Sequence, residues 1–537
     1  MPRSEWSLAA CSARMCALIA ALLAGCSSLP PGSDFPRKAS SALAHPEETR
    51  LGRQFAPAAR EHDGSSGFRI IPVGADGFLV RLQMIDAAER TLDLQYFIFR
   101  DDDTGKLLSA AALRAADRGV RVRLLIDDGE TEAGDEQIAA LRANPSVEIR
   151  IYNPFAYRGH NKFLRDFEFV FNASRLDYRM HNKLLVVDNA AALIGGRNIA
   201  EPYFQIDPDG QFADDDVFAV GAIARTLSAS FDEYWNAALS IPLAALSGER
   251  PSHAELNEGR AQLEQQGQQL KGLGVADAKR FAAGEPFSGI TSGRLPLIWA
   301  HAEVVSDSPD KKKVESGAMI GRLMERPVAE AVRAVHSELL MITPYLIPGK
   351  EGMLLFKDLR QRGVRVRVLT NSLESSTVPS AQSGYMHYRT PLLDMGVELY
   401  EIRSLLGNTR GSGQTAAISR YGTYSLHAKL FVLDRQRIFI GSMNFDQRSM
   451  HLNTEIGLLI DSPELARQIA GRFEAMVQPV NAYALALRPN AAGEAPSVTW
   501  HTQEGDLAVE YLTEPARSDW QRFKVNFLSL LPLDDEL

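Results

Sequence analysis

Two histidines stand out for the residues that accompany them. His181 is followed by Asn182 and Lys183, then after four residues by Asp188, and after six more by Gly195-Gly196-Arg197-Asn198. His427, Ala428 and Lys429, then Asp434, then Gly441-Ser442-Met443-Asn444, repeat that spacing. One His-x-Lys is commonplace; two copies with the same internal spacing are not. Between Lys and Asp each copy reads as a strand, Leu184-Leu185-Val186-Val187 and Leu430-Phe431-Val432-Leu433. Side chains alternate faces along a strand, so each His and Lys share a face and the Asp faces away. Asp188 and Asp434 thus enter the candidate catalytic set as orienting or structural groups. The glycine turns can bring Asn198, Ser442 and Asn444 back toward the pair, glycine permitting close backbone approach.

Across a pseudo-two-fold axis the copies make one site with two imidazoles, two ammonium groups and two amides. Cations and amide donors suit the non-bridging oxygens of a phosphodiester. Two imidazoles suit double displacement: one attacks phosphorus, the other protonates the leaving alcohol and then deprotonates the incoming one. A carboxylate behind an imidazole sets its tautomer and orientation. Glu455 is expected behind His427 and Asp214 behind His181, with Asp215 and Asp216 as alternatives to Asp214. The fixed positive charges make a dedicated metal unnecessary, and no cofactor is expected. There is no His-Glu-x-x-His, P-loop or Gly-x-Ser-x-Gly string.

The elements that hold these residues are themselves duplicated. Thr91–Phe97, a helical stretch and Arg118-Gly119-Val120-Arg121-Val122-Arg123-Leu124-Leu125 find their counterpart in Leu339–Tyr345, a helical stretch and Arg362-Gly363-Val364-Arg365-Val366-Arg367-Val368-Leu369. Strand, helix and glycine-started strand in that order imply an α/β fold: two similar halves, each a mixed or parallel sheet flanked by helices, packed around one active site. The arginines that alternate with valines are expected at strand edges or facing solvent. The expected segments are 1–25 leader, 26–66 tether, 67–241 first half, 242–313 connector, 314–490 second half and 491–537 a separate tail. In that tail Trp520, Phe523, Phe527, Leu530 and Leu531 recur at helical spacing, as core packing or as a membrane-surface contact.

These repeated strings resemble the His-Lys-Asp motifs of the phospholipase D superfamily. Tyr152-Asn153-Pro154-Phe155, Met180-His181-Asn182-Lys183, Gly195-Gly196-Arg197-Asn198-Ile199, Tyr203-Phe204, Thr370-Asn371-Ser372-Leu373, Gly384-Tyr385, Leu426-His427-Ala428-Lys429 and Gly441-Ser442-Met443-Asn444-Phe445-Asp446 resemble its bacterial cardiolipin synthase C group. The resemblance covers Gly67 to Gln478. Gly196 departs from it, since many members carry Ser there, as Ser442 does in the second copy. The resemblance implies a phosphatidyl-histidine intermediate, with His181 as nucleophile and His427 as acid and base. It also implies a second phospholipid as acceptor, giving cardiolipin from phosphatidylglycerol, with phosphatidylethanolamine as a candidate co-substrate. A phospholipase D using water, an exported phosphodiesterase or nuclease, and a non-catalytic binding module are the competing readings.

The chain has 537 residues, 45% hydrophobic and 23% charged, with a formal net charge of −9. Apart from Lys311–Lys313 there is no basic run, so nucleic acid is not an expected partner. Arg3 and Arg14, the apolar Met15–Ala24 and then Leu23-Ala24-Gly25-Cys26-Ser27 resemble a bacterial lipobox, with Cys26 lipidated. The other cysteines, Cys11 and Cys16, lie in the leader, so no disulfide is expected in the mature body. The expected partners are phospholipids and a membrane reached through the Cys26 anchor. The expected location is the bacterial envelope, at the periplasmic face of the outer membrane, which the Ser after the Cys favours.

Overall fold

A computed structural model describes residues 34–530, apart from 131–139, 143, 160, 207–209, 247–253, 255–256, 263–264, 266–278, 281–282, 407–422 and 491–494. Cys26, Leu531 and most of residues 247–282 in the connector lie outside the described residues.

The first half supplies β1 (Ser66–Ile71), β2 (Thr91–Tyr96), β3 (Arg121–Asp127), β4 (Val147–Tyr152), β5 (Leu184–Val187), β6 (Ala191–Gly195), β7 (Gly210–Ala213), β8 (Asp216–Gly221) and β9 (Ser240–Pro242). The second supplies β10 (Ile298–Ser306), β11 (Glu338–Ile342), β12 (Arg365–Asn371), β13 (Glu398–Ile402), β14 (Thr423–Leu426), β15 (Leu430–Leu433), β16 (Arg437–Gly441), β17 (Ile456–Asp461), β18 (Ala482–Arg488), β19 (Ser497–Glu504) and β20 (Leu507–Tyr511). In the first half the pairing runs β9-β4-β3-β2-β5-β6-β8-β1. In the second it runs β10-β17-β16-β15-β11-β12-β13-β18-β19-β20. β2, β3 and β4 are parallel, as are β11, β12 and β13. The strands carrying the motifs run antiparallel to them. β1 pairs antiparallel with β10, Ser66 opposite Ala300 and Phe68 opposite Ile298, which makes one continuous sheet. The pseudo-two-fold axis falls at that seam.

Helices Ala222–Trp235 and Pro463–Met476 occupy equivalent places, and one apolar cluster joins them to inward residues of both halves, among them Leu184, Val186, Leu340, Leu430 and Trp235. A core shared in this way keeps the halves in fixed register. Truncating a buried side chain as large as Trp235 would cost about 3–5 kcal/mol.

Three expectations need correction. Arg123 and Arg367 do not face solvent. Each is buried under the helix of its own half: Arg123 pairs with Asp93 at 2.7 Å and Asp232 at 2.7 Å, and Arg367 hydrogen-bonds Glu474 at 3.1 Å. Both guanidiniums lie 4.8 Å from a phenylalanine ring, Phe231 or Phe473. The connector gives way to the second half by Ile298, because β10 pairs with β17 over six residues, His301 to Ser306. The tail is not separate either: β19 and β20 extend the second sheet, and helix Asp519–Leu528 follows them. That helix buries only Val525 and leaves Trp520, Phe523 and Phe527 exposed, so core packing does not account for its apolar spacing.

Candidate active site

β5 and β15 begin just after the two Lys residues and run antiparallel to β2 and β11. Both His-x-Lys segments therefore sit at the carboxyl ends of the parallel strands. The residue before each histidine is clamped from an equivalent position at the end of β3 or β12. The Met180 N–H donates to Asp127 Oδ2 at 2.7 Å, and the Leu426 N–H donates to Asn371 Oδ1 at 2.8 Å.

From there each segment crosses into the other half. β14 pairs in parallel with β7, and Met180 bridges Thr454 in the same sense. The His181 N–H donates to the Thr454 carbonyl at 2.9 Å, and the His427 N–H to the Ala213 carbonyl at 2.8 Å. Thr454 and Ala213 are the residues just before the candidate carboxylates. That register decides which carboxylate meets which ring, and it reverses the sequence-based assignment. Glu455 sits behind His181, with both carboxylate oxygens 3.0 Å from Nδ1. Asp214 sits behind His427, with Oδ2 2.6 Å from Nδ1. Asp215 and Asp216 face elsewhere, the first to Arg472 and the second to Arg81 and Arg197.

A carboxylate at Nδ1 keeps the ring proton there and leaves the Nε2 lone pair for the reaction. The lysines are buried beside the rings. Lys183 Nζ donates to the His181 carbonyl at 2.5 Å and lies 5.4 Å from the centre of the Phe97 ring. Lys429 Nζ lies 2.9 Å from His427 Nδ1 and 3.2 Å from Nε2. Burial, then the charges of Lys183 and Lys429, holds His181 well below the ordinary imidazole range. Burial and Lys429 push His427 down to about 3 against the pull of Asp214. Burial also lowers Lys183 well below its usual value and Lys429 to about 8, and raises Glu455 to about 7. Both rings are therefore neutral near pH 7, the form a nucleophile or base needs. Bringing a phosphodiester anion beside them would favour the charged forms of both lysines and of a ring that must deliver a proton.

The remaining candidates divide. Asp188 and Asp434 lie at the far ends of their strands. Asp188 accepts the N–H groups of Glu89, Arg90 and Thr91 at 3.0, 2.8 and 2.9 Å. Asp434 accepts those of His336, Ser337 and Glu338 at 2.9, 2.7 and 3.0 Å. The two aspartates tie the strand ends together and do not meet the imidazoles, as side-chain parity requires. Ser442 does not offer its hydroxyl to a phosphate: it donates to Glu455 Oε2 and accepts from the Ile456 N–H at 3.0 Å. Asn198 holds the Ile98 N–H at 3.1 Å and donates to the Tyr203 hydroxyl at 2.9 Å, which places its amide behind Tyr203. Asn444 is buried, and its Oδ1 has no hydrogen-bond partner among the described residues.

Sequence reasoning missed the groups that pack around this core. Phe97 meets the His181 ring edge-on at 5.1 Å; Tyr203 meets His427 edge-on at 4.9 Å, and Phe212 stacks on it at 5.5 Å. Asp307, in the supposed connector, accepts the Glu455 N–H at 2.9 Å and pairs with buried Lys311 at 3.2 Å. Lys311 also donates to the Ser449 and Asn453 carbonyls at 2.9 and 2.8 Å. The only hint in the sequence was the basic run at Lys311–Lys313, which reads as surface.

A duplicated sheet, two crossed histidine–carboxylate pairs and two buried lysines are the arrangement that phosphodiester transfer would need. The chain belongs to the family described as "Cardiolipin synthase, PLD-like domain", whose model matches residues 82–235 and 328–477. It is 34% identical to cardiolipin synthase C of Escherichia coli (strain K12) over 90% of this chain and 99% of that one. It is 26% identical to cardiolipin synthase A of Pseudomonas syringae pv. syringae (strain B728a) over 75% of this chain and 66% of the other. Among solved structures, phosphatidylserine synthase of Haemophilus influenzae Rd KW20 shares the fold, with a TM-score of 0.51 at 13% identity, covering 80% of this chain and 92% of that one.

Proposed function

We propose that this chain is a phosphatidyltransferase of the cardiolipin synthase type. The observation that supports it most is the crossed pair of neutral imidazoles, each backed by a carboxylate from the opposite half and flanked by a buried lysine. His181 Nε2 attacks the phosphorus of phosphatidylglycerol. The bond from phosphorus to the glycerol oxygen breaks as His427, in the imidazolium form that the bound phosphodiester anion favours, gives that oxygen a proton. A hydroxyl of a second phosphatidylglycerol then loses its proton to His427 and attacks phosphorus. The nitrogen–phosphorus bond breaks, releasing cardiolipin and restoring both rings. Lys183 and Lys429 carry the positive charge that the phosphoryl oxygens need in both transition states. The family relationship and the 34% identity to a cardiolipin synthase support the choice of lipids.

The strings around Cys26 support an acyl anchor, with the body on the periplasmic face of the outer membrane. Among the described residues no helix is long and apolar enough to cross a membrane. The net charge of −9 supports lipid over nucleic acid as the substrate.

The test is mass spectrometry of the products that the purified chain forms from phosphatidylglycerol vesicles, with His181→Ala alongside. Cardiolipin and free glycerol, absent with the variant, are expected. Phosphatidic acid without cardiolipin would replace transfer by hydrolysis at the same site. No lipid product, with or without phosphatidylethanolamine, would overturn the reading.

A further inference from the structure

Two helices expose apolar faces to a degree that folding does not explain. In Lys162–Leu176, Phe163 is 73% exposed, Phe167 53% and Val170 70%, at helical spacing on one side. In Asp519–Leu528, Trp520 is 70% exposed, Phe523 60% and Phe527 56%, with Leu530 just beyond at 80%. The aromatic residues pack along each helix: Phe167 lies 4.5 Å from Phe171, and Trp520 stacks on Phe523 at 5.5 Å. Scattered exposed apolar residues are normal, but runs of large ones along one helix face mark an interaction surface.

Both helices are tied to the catalytic end of the sheet through equivalent places. The residue at the end of β3, Asp127, clamps Met180 beside His181; the next residue, Asp128, holds Arg165 of the first helix through its backbone carbonyl. The residue at the end of β12, Asn371, clamps Leu426 beside His427; two residues on, the Leu373 carbonyl accepts from Gln521 of the second helix at 2.7 Å. The Glu374 carbonyl accepts from Arg517. Each half thus carries one apolar face tied to the same end of the sheet as its own histidine. The exposed charges are mixed on the first helix, where Lys162 stands near Asp166, and lean basic around the second, where Arg517, Arg522 and Lys524 outnumber Asp519, which pairs with Arg522 at 2.6 Å. Large aromatic residues with basic neighbours on a helix without spanning length describe a segment that lies in a membrane interface. The basic excess around the second helix complements an anionic lipid surface.

We propose that Phe163, Phe167 and Val170, together with Trp520, Phe523, Phe527 and Leu530, form a two-part docking surface that seats the active-site mouth on an anionic phospholipid membrane. It would deliver lipid headgroups to the two histidines from one plane, one beside each half. The proposal rests on a phospholipid substrate, and its test must separate docking from that reading.

Two measurements on the full chain do so. Tryptophan emission is followed on mixing with phosphatidylglycerol vesicles whose acyl chains carry bromine, which quenches only at close range. The emission is expected to fall, and that fall to disappear in Trp520→Phe. Phosphatidylcholine vesicles, lacking net charge, are expected to give a smaller fall. Separately, Phe163→Ser/Phe167→Ser and Phe523→Ser/Phe527→Ser are each expected to lower turnover of vesicle phosphatidylglycerol by roughly tenfold, while turnover of a short-chain, monomeric phosphatidylglycerol stays within about twofold. Equal quenching with Trp520→Phe, or vesicle rates unchanged in both double variants, would overturn the proposal. An absence of quenching together with a dimer that the serine variants dissociate would assign the faces to a second copy and also overturn it. A wild-type chain that transfers no phosphatidyl group in any form sinks the proposed function, while the quenching still decides the docking.

Discussion

The two halves back their histidines differently, and the difference lies in one pair of positions. Register places Ser442 and Gly196 in equivalent turns, and Glu455 and Asp214 in equivalent strand starts. In the second half the Ser442 hydroxyl bonds the Glu455 carboxylate, which reaches over to His181. In the first half the carboxylate is one methylene shorter and the residue facing it has no side chain. A Cβ on Gly196 would fall 2.3 Å from Asp214 Oδ1 and 2.5 Å from Oδ2. The missing hydroxyl at Gly196 is therefore a requirement of the Asp214 position, not a lost phosphate contact. The site is symmetric in its imidazoles and asymmetric in what steadies them.

The largest effects should come from the rings. His181→Ala and His427→Ala should each lower phosphatidyl transfer by about 10,000-fold or more, since groups that act as a unit fail together. The two variants separate with a phosphodiester whose leaving group needs no proton. With that substrate His427→Ala should accumulate a phosphoryl adduct on the peptide holding His181, read by mass spectrometry. An adduct on the His427 peptide of His181→Ala instead would exchange the two roles.

The crossed carboxylates come next. Glu455→Gln and Asp214→Asn should each lower kcat by roughly 100- to 10,000-fold, the range for losing the group that sets a catalytic tautomer. Imidazole nitrogen chemical shifts should move for His181 in Glu455→Gln and for His427 in Asp214→Asn. The opposite correspondence would break the crossing. Smaller changes sharpen the comparison. Gly196→Ala forces a carbon against the carboxylate and should cost about 1–3 kcal/mol of stability. Ser442→Ala removes one hydrogen bond from Glu455 and should cost about as much, with activity less affected than by Glu455→Gln. Chemical denaturation of each variant checks both.

How much of this was legible in the sequence follows from which facts are local. The motif residues, their strand parity and the repeat all depend on neighbours within a few positions, so the fold class and the clustering of His181, Lys183, His427 and Lys429 could be read directly. The structural place of Asp188 and Asp434 followed from parity as well. The crossing could not be read, because it depends on strands such as β7 and β14 pairing between halves. Proximity along the chain favoured Glu455 for His427, and that rule fails when a site is built across a dimer-like seam. Arg123 and Arg367 misled for a related reason: alternation shows which face a residue takes, but not that a helix carrying Asp232 or Glu474 covers that face. Asp307 and Lys311 were hidden in a segment whose composition reads as linker.

The pH profile tests the asymmetry without altering the core. The Lys429 ammonium, lowered to about 8 by burial, is charged at pH 7 and loses its proton above that value. kcat/KM should therefore fall on the alkaline side with an apparent pKa near 8. Lys429→Arg should remove that limb, since a guanidinium does not titrate there, while lowering the plateau. Glu455, raised to about 7 by burial, is protonated below that value and then no longer holds the His181 ring as a carboxylate. An acid limb near 7 should follow, and Glu455→Gln should abolish it. His427, pushed down to about 3 by burial and Lys429, contributes no limb between pH 5 and 8.

The smallest effect on chemistry, and the cleanest contrast between halves, should come from the aspartates that close the motifs. Both accept three backbone N–H groups, but Asp188 is fully buried whereas Asp434 is partly exposed. Asp188→Asn leaves buried donors facing an amide that matches them poorly, which should cost about 1–3 kcal/mol. Water can replace part of what Asp434→Asn loses, so its cost should be smaller. Burial raises the Asp434 carboxyl, but the hydrogen bonds from Ser337, His336 and Glu338 outweigh it and leave it below its usual value. Its contribution is thus complete above the ordinary aspartate pKa and is lost as pH falls through the depressed one. Denaturation midpoints of wild type and Asp434→Asn should therefore converge under acid, while kcat at pH 7 stays close to wild type for both variants. A kcat loss comparable to that of Glu455→Gln would instead place these aspartates in the chemistry and undo the parity argument.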